Sequence, residues 1–271
     1  MDVLLNLEKI TNEVCEIARE TGKFLAGEIG NIRSGDILTK GTHDFVTYVD
    51  KSSEKMIMTG LNKILPEAGF IAEESPEKGM GERFNWVIDP LDGTTNYIHA
   101  IPLYSISIGL LDGQTPVSGV VLEINMDECF YAWKNGGAFL NGNSIKVSKK
   151  GKIHESLFAT GFPYYDYSRL DPYLEFFKFL IKNSHGVRRL GSAAADLAYV
   201  ACGRFEGFYE YGLHSWDVTA GALIVEEAGG KVTDFTGNHN YIFGKEIVAT
   251  NELVQIDFLN SLNNYFARKP N

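Results

Sequence analysis

WVIDPLDGTT, residues 86–95, runs an apolar lead-in, Trp86-Val87-Ile88, into two aspartates, Asp89 and Asp92, separated by Pro90 and Leu91. A small segment, Gly93-Thr94-Thr95, follows at once. Carboxylates held close together at a strand end can share hard divalent cations. A Gly-Thr turn that opens a new element can present backbone N–H groups to an anion. Phosphate chemistry needs both devices. Asp-Pro and Asp-Gly are also ordinary turn formers, so the meaning of the stretch depends on what surrounds it.

Upstream, the same grammar recurs: apolar run, carboxylate, loop. Phe70-Ile71-Ala72 ends in Glu73-Glu74-Ser75, and Phe45 to Val49 reads as a short strand ending at Asp50. Between them, Ile57, Leu61 and Ile64 fall in register on a helix expected from about Ser52 to Pro66. Leu7, Ile10, Val14, Ala18 and Leu25 place an amphipathic helix at the start of the chain, and residues 31–43 read as a loop or ribbon.

Downstream the period changes to two. Ile106, Ile108 and Leu110 alternate with Ser105, Ser107 and Gly109, and Val120, Leu122 and Ile124 alternate again. Cys129 to Trp133 and the turn formers Gly136-Gly137 and Asn141-Gly142 complete a meander of antiparallel strands. The polar stretch Lys149 to His154 divides the chain into two packed halves of a single catalytic domain, about 1–152 and 153–271. In the second half, strands are expected at Leu157 to Ala159, Phe205 to Tyr209 and Ile247 to Thr250. Helices are expected around Leu174, Phe177 and Ile181, from Ser192 through Cys202, from Trp216 to Ala228 before Gly229-Gly230, and near the C-terminus. Strands and helices alternate without a run of regular βαβ units. The class is a layered α/β protein with mixed, largely antiparallel sheets.

Composition bounds the function. The 271 residues are 44% apolar and 22% charged, enough for a large core. A net charge of −10 argues against a general binder of nucleic acid or membrane surface, which needs a dominant basic field. No apolar run is long enough for a membrane span, and the opening MDVLLNLEKI lacks a basic leader. Three scattered cysteines, Cys15, Cys129 and Cys202, fit reduced core thiols and a cytoplasmic location.

Four carboxylates stand out by position: Glu73, Asp89, Asp92 and Asp217, the last at the start of the helix expected from Trp216. Asp217 alone would read as a helix N-terminal acid favoured by the macrodipole, and Glu73 alone as a solvated loop acid. Together with the 86–95 stretch they make an oxygen-rich set suited to Mg²⁺. Neither a GxSxG elbow nor a cysteine phosphatase signature is present, which favours hydrolysis by activated water.

IAEES at 71–75, WVIDPLDGTTNY at 86–97 and GLHSWDVTAGALIVEEAGG at 212–230 resemble the inositol monophosphatase family of Mg²⁺-dependent, lithium-sensitive phosphatases. GGAFLNG at 136–142 and HGVRRLGSAAADLAYVACGRFEGFYE at 185–210 extend the resemblance over most of the chain. It implies an αβαβα sugar-phosphatase fold, a homodimer, and two or three Mg²⁺ ions. It implies that Glu73, Asp89 and the carbonyl of Leu91 hold one metal, that Asp89, Asp92 and Asp217 hold a second, and that Asp50 lies near a weaker third site. Thr94 with Glu73 would orient and deprotonate the attacking water, while the backbone of Gly93 and Thr94 cradles the phosphate beside Asp92. Glu210, Ala193 and Asp217 match positions that contact inositol hydroxyls, with Gly191 and Ser192 beside them. The substrate implied is myo-inositol 1-phosphate. Relatives acting on 3′-phosphoadenosine 5′-phosphate, fructose 1,6-bisphosphate or histidinol phosphate are the alternative, as is a regulatory partnership with transcription factors.

Overall fold

The structure, a computed structural model, describes residues 5–31, 38–41, 44–75 and 79–266. Two sheets and six of its helices stack as five layers. The first layer is helix α1 (Leu7–Glu28) and helix α2 (Tyr48–Ile64). They pack on a seven-stranded sheet of order β3-β4-β5-β6-β7-β8-β9. Its strands are β3 (Gly69–Ala72), β4 (Phe84–Asp92), β5 (Ser105–Asp112), β6 (Thr115–Glu123), β7 (Glu128–Trp133), β8 (Gly137–Leu140) and β9 (Asn143–Ile145). Only β3 and β4 run parallel; the rest form the antiparallel meander.

The middle layer is α5 (Ala193–Ala201) with α6 (Ser215–Glu227). Beyond it lies a five-stranded sheet built from β10 (Leu157–Thr160), β11 (Gly186–Arg188), β12 (Gly207–Tyr211), β13 (Lys231–Thr233) and β14 (Glu246–Thr250), in the order β11-β10-β12-β14-β13. Here β10 is parallel to both β11 and β12, while β14 pairs antiparallel with β12 and β13. Helices α4 (Leu170–Asn183) and α7 (Gln255–Phe266) close the outer face. A short hairpin, β1 (Leu38–Gly41) with β2 (Asp44–Val46), and the one-turn helix α3 (Thr94–Ile98) stand outside the stack.

Successive strand residues face opposite sides of a sheet, and the three cores follow that rule residue by residue. Trp86 and Ile88 join Ile10, Val14, Ile57 and Leu61 under the first layer, while Val87 between them turns to the middle. Ile247 and Ala249 face the middle core, and Val248 faces Phe158, Tyr173 and Phe176 in the outer one. Both faces of each sheet are covered, which is why β4 and β5 are buried along nearly their whole length, the small Ser105, Ser107 and Gly109 of β5 included. All of α5 is buried, and α6 is apolar around most of its circumference, as a helix between two sheets must be.

The layered α/β class with mixed, mostly antiparallel strands is as expected from the sequence. Local boundaries differ at one important point. The strand expected to run to Asp50 stops at Val46, and the helix expected from Ser52 begins at Tyr48. The cause is a capping box: the Asp50 carboxylate accepts from the Thr47 backbone N at 2.8 Å, and the Thr47 hydroxyl accepts from the backbone N of Val49 at 3.1 Å. Asp50 therefore sits in the first turn of α2. Of the expected loop or ribbon at 31–43, residues 32–37, 42 and 43 lie outside the described residues.

The middle layer approaches β6 closely because Gly119 has no side chain. A Cβ there would lie 2.7 Å from the Ala220 carbonyl oxygen and 3.0 Å from its Cα, both fixed backbone of α6. Gly119→Ala is therefore expected to lower stability by about 1–3 kcal/mol by forcing α6 off the sheet. Urea denaturation checks this: the midpoint falls at an unchanged slope, whereas a parental midpoint would mean that α6 gives way at no cost.

Candidate metal centre and active site

The expected carboxylates meet where β4 ends against the N-termini of α5 and α6. In a regular strand, residues three apart point to opposite faces. Asp89 and Asp92 escape this because the β4–β5 register shifts between them, a bulge occupied by Pro90 and Leu91. Bulges re-aim side chains in this way. The Leu91 backbone N donates to Asp89 Oδ1 at 2.9 Å, fixing the turn. Asp92 Oδ2 is held by the Ser192 hydroxyl and the Ala194 backbone N, each at 2.7 Å. Ser192 is itself the N-cap of α5, accepting from Ala195, and touches the Ser105 hydroxyl at 2.8 Å.

Asp217 comes from the other side of the site. It lies at the third position of α6, where its carboxylate accepts from the His214 backbone N at 2.7 Å. One carboxylate oxygen from each of Asp89, Asp92 and Asp217 lies within 4.8 Å of the others. Glu73 follows β3, tied by its backbone N to the Ile88 carbonyl of β4 at 3.2 Å, and lines the same cavity just outside that trio.

The cavity has a volume of about 330 Å³ and holds most of the expected residues: Glu73, Asp89, Leu91, Asp92, Gly93, Thr94, Gly191, Ser192, Ala193, Glu210 and Asp217. Gly93 opens α3 with φ of 96°, the left-handed conformation that favours glycine, and is followed by Thr94 at the first helical position. Asp50 is not among the lining residues. It stands one hydrogen bond behind them, 1% exposed, with Oδ1 accepting from the Thr94 hydroxyl at 3.2 Å. The same hydroxyl reaches the Leu91 carbonyl at 3.0 Å.

Three further features line the cavity that the sequence reading did not assign to the site: Asp196 on α5, Arg189 after β11, and the aromatic loop bearing Phe162, Tyr164 and Tyr165. Asp196 carries a signal in hindsight, being the one charged residue in the apolar helix AAADLAYVA. Arg189 lies over the rings of Phe162 and Tyr164 and donates to the Tyr164 hydroxyl. His214 is exposed and stacks on Trp216 with ring centroids 4.5 Å apart.

Burial and crowding set the charge state. Burial pushes the Asp89 carboxyl well above the usual range, and the neighbouring Glu73, Asp92 and Asp217 push it further. Asp217 is raised by burial and by Asp92. Asp92 rises to about 6 because burial outweighs the hydrogen bonds from Ser192 and Ala194 and the Arg189 charge. Glu210 rises to about 8, again through burial, with Arg189 opposing. A dense set of buried carboxylates favours either protons or a cation.

The chain matches the profile of the inositol monophosphatase family over residues 6–265. It is 37% identical over 247 residues to an inositol-1-monophosphatase of Mesorhizobium japonicum, covering 91% of this chain and 93% of that protein. It is 41% identical over 250 residues to the Nus factor SuhB of Escherichia coli, covering 92% and 93%. The extragenic suppressor protein SuhB of Bartonella henselae superposes with a TM-score of 0.88 at 38% identity, over 94% of this chain and 98% of that one. An inositol monophosphatase of Anabaena superposes at 0.83 and 37% identity, over 96% and 97%.

The raised carboxyls fix a sign for pH. With folded values above the unfolded ones, the native state binds more protons than the unfolded chain, so stability falls as pH rises through them. Metal-free protein is expected to lose stability as pH rises from about 4 through the Asp92 value near 6 and the Glu210 value near 8. Urea midpoints measured in chelator across that range check it; midpoints that rise with pH would contradict the charge assignment.

Proposed function

The chain belongs to the inositol monophosphatase family and is a phosphatase, and on that premise we propose that it hydrolyses myo-inositol 1-phosphate to myo-inositol and phosphate. The observation that carries the reading is the trio Asp89, Asp92 and Asp217, gathered within 4.8 Å from the end of a strand and the start of a distant helix. The family is metal-dependent, and this donor set fits a hard divalent cation: each member of the trio offers a carboxylate oxygen, and burial leaves those carboxylates short of a counter-charge. We assign the ion as Mg²⁺, two or three per site. Asp89, Asp92, Asp217, Glu73 and the Leu91 carbonyl would hold it. Bound cations supply positive charge to the phosphate oxygens and the leaving oxygen and make water a better nucleophile near neutral pH.

The chain's own groups position the rest. The Thr94 hydroxyl, anchored on the Asp50 carboxylate, orients the attacking water, and Glu73 beside it accepts the proton. Backbone N–H groups at Gly93 and Thr94, in the first turn of α3, have no acceptor within the helix and face the phosphate. Asp92 borders this cradle. On the alcohol side, Glu210, its carboxyl raised to about 8 by burial, meets a substrate hydroxyl, with Asp217 nearby and Gly191, Ser192 and Ala193 forming the wall between them. Water attacks phosphorus as the ester oxygen leaves, and no covalent phospho-enzyme forms. The active form is a homodimer in the cytoplasm; among the described residues no helix is long and apolar enough to cross a membrane.

A second reading rests on the relatives named as Nus factors: the same chain also acts as a partner of transcription factors. The net charge of −10 favours contact through protein rather than through nucleic acid directly.

Released phosphate across a panel of esters tests the substrate. Myo-inositol 1-phosphate is expected to lead 3′-phosphoadenosine 5′-phosphate, fructose 1,6-bisphosphate and histidinol phosphate; preference for the nucleotide would overturn the choice. Chelation is expected to abolish turnover and added Mg²⁺ to restore it. Asp92→Asn keeps the shape and an acceptor for Ser192 and Ala194 but removes a metal charge, so kcat should fall roughly 100-fold or more. Its metal-free melting temperature should be no lower than the parent's, since one buried charge is gone. Near-normal turnover in this variant would sink the metal assignment.

A further inference from the structure

Asp196 presents a problem that the hydrolytic machinery leaves unsolved. It sits one turn into α5, between Ala195 and Leu197, and is 1% exposed. Its Oδ1 is buried with no hydrogen-bond partner among the described residues. A carboxyl left in this state costs free energy, and an apolar residue would suit an otherwise apolar helix better. Asp196 is nevertheless one of the residues that line the cavity, close enough to Glu210 and Arg189, which line it too, for their charges to act on its carboxyl.

Arg189 has the complementary defect. Its Nε is likewise buried and without a partner among the described residues. The guanidinium is not loose: its centre lies 5.4 Å from the Phe162 ring centroid and 5.6 Å from that of Tyr164, and it donates to the Tyr164 hydroxyl. A planar group fixed in this way can direct a remaining N–H at a ligand. Two residues that line the cavity thus carry, just beneath its surface, an orphan acid oxygen and an orphan N–H donor.

We propose that Asp196, together with the Nε–H of Arg189, is a specificity-determining pair that reads hydroxyl groups of the leaving alcohol, selecting polyhydroxylated over apolar phosphate esters. The inference rests on the phosphatase reading above. It adds a recognition element beyond Glu210. A hydroxyl is both donor and acceptor, so a polyol that reaches the pair supplies the partners both lack, whereas an alkyl group of equal size supplies none. Sites built to hydrogen-bond a substrate hydroxyl reject the analogue lacking it far more strongly than apolar pockets separate methylene homologues. Burial raises the Asp196 carboxyl well above its usual range, and Glu210 and Asp92 push it further, so it can also serve as an O–H donor.

The test pairs substrate and residue. Kinetics with Mg²⁺ present compare myo-inositol 1-phosphate with cyclohexyl phosphate, the same ring without hydroxyls. The parent should prefer the inositol ester in kcat/KM by at least about 10-fold. Asp196→Ala should shrink that preference about 10- to 100-fold, mainly through KM for the inositol ester. Asp196→Asn, which keeps one acceptor oxygen, should fall between, and Arg189→Lys, which keeps charge but loses Nε–H, should also shrink it. Equal losses on both esters in Asp196→Ala would mark a structural role and overturn the proposal. If that variant fails to fold, Asp196→Asn and the parent's own preference decide. Turnover of both esters without preference overturns the proposal and leaves the phosphatase reading standing; no turnover of either overturns both.

Discussion

The constraint on which the structure turns is the burial of several carboxylates in one small volume. Asp89, Asp92 and Asp217 place oxygens within 4.8 Å of one another, with Glu73 beside them and Asp50 and Glu210 close behind. Like charges so crowded and so dry repel and resist ionisation. The fold spends specific devices on holding them: a β-bulge that turns Asp89 and Asp92 to one side, the first turn of α5 that grips Asp92, and the α6 cap formed with Asp217. A cation resolves the repulsion that these devices maintain, and that is the physical reason for reading the cluster as a metal centre.

The five-layer stack explains how residues more than a hundred positions apart meet. The middle helices α5 and α6 are gripped between two sheets, and their N-termini open at the end of β4. Close approach at Gly119 sets how deeply α6 sits against the first sheet, and hence where Asp217 lies. On the far side, β12 carries Glu210 and the stretch after β11 carries Arg189, so the second sheet also contributes to the cavity lining. Both sheets and the helices between them thereby contribute to one cavity.

Much of this was legible in the chain. Period-two alternation at Ile106 to Leu110 and Val120 to Leu122 marked the meander, and the Ser192 cap and the Gly229-Gly230 stop bounded two helices near their observed ends. The carboxylates were visible because each ends an apolar run or opens a helix. Asp50 was misplaced on a strand end because Phe45 to Val49 is a good β sequence locally, and the Thr47–Asp50 capping box that shortens it spans the apparent boundary. The bulge at Pro90-Leu91 could not be counted from spacing alone. Asp196 escaped notice for another reason: its meaning lies in what it fails to pair with, and a missing partner is a property of three dimensions.

Anomalous diffraction from crystals grown with Mn²⁺ in place of Mg²⁺ tests the central claim most directly, since it locates the ions without recourse to activity. At least two peaks are expected in this cavity, one of them ligated by Asp89, Asp92 and Asp217 together. Absence of any peak within bonding distance of those three carboxylates, in crystals saturated with the ion, would contradict it.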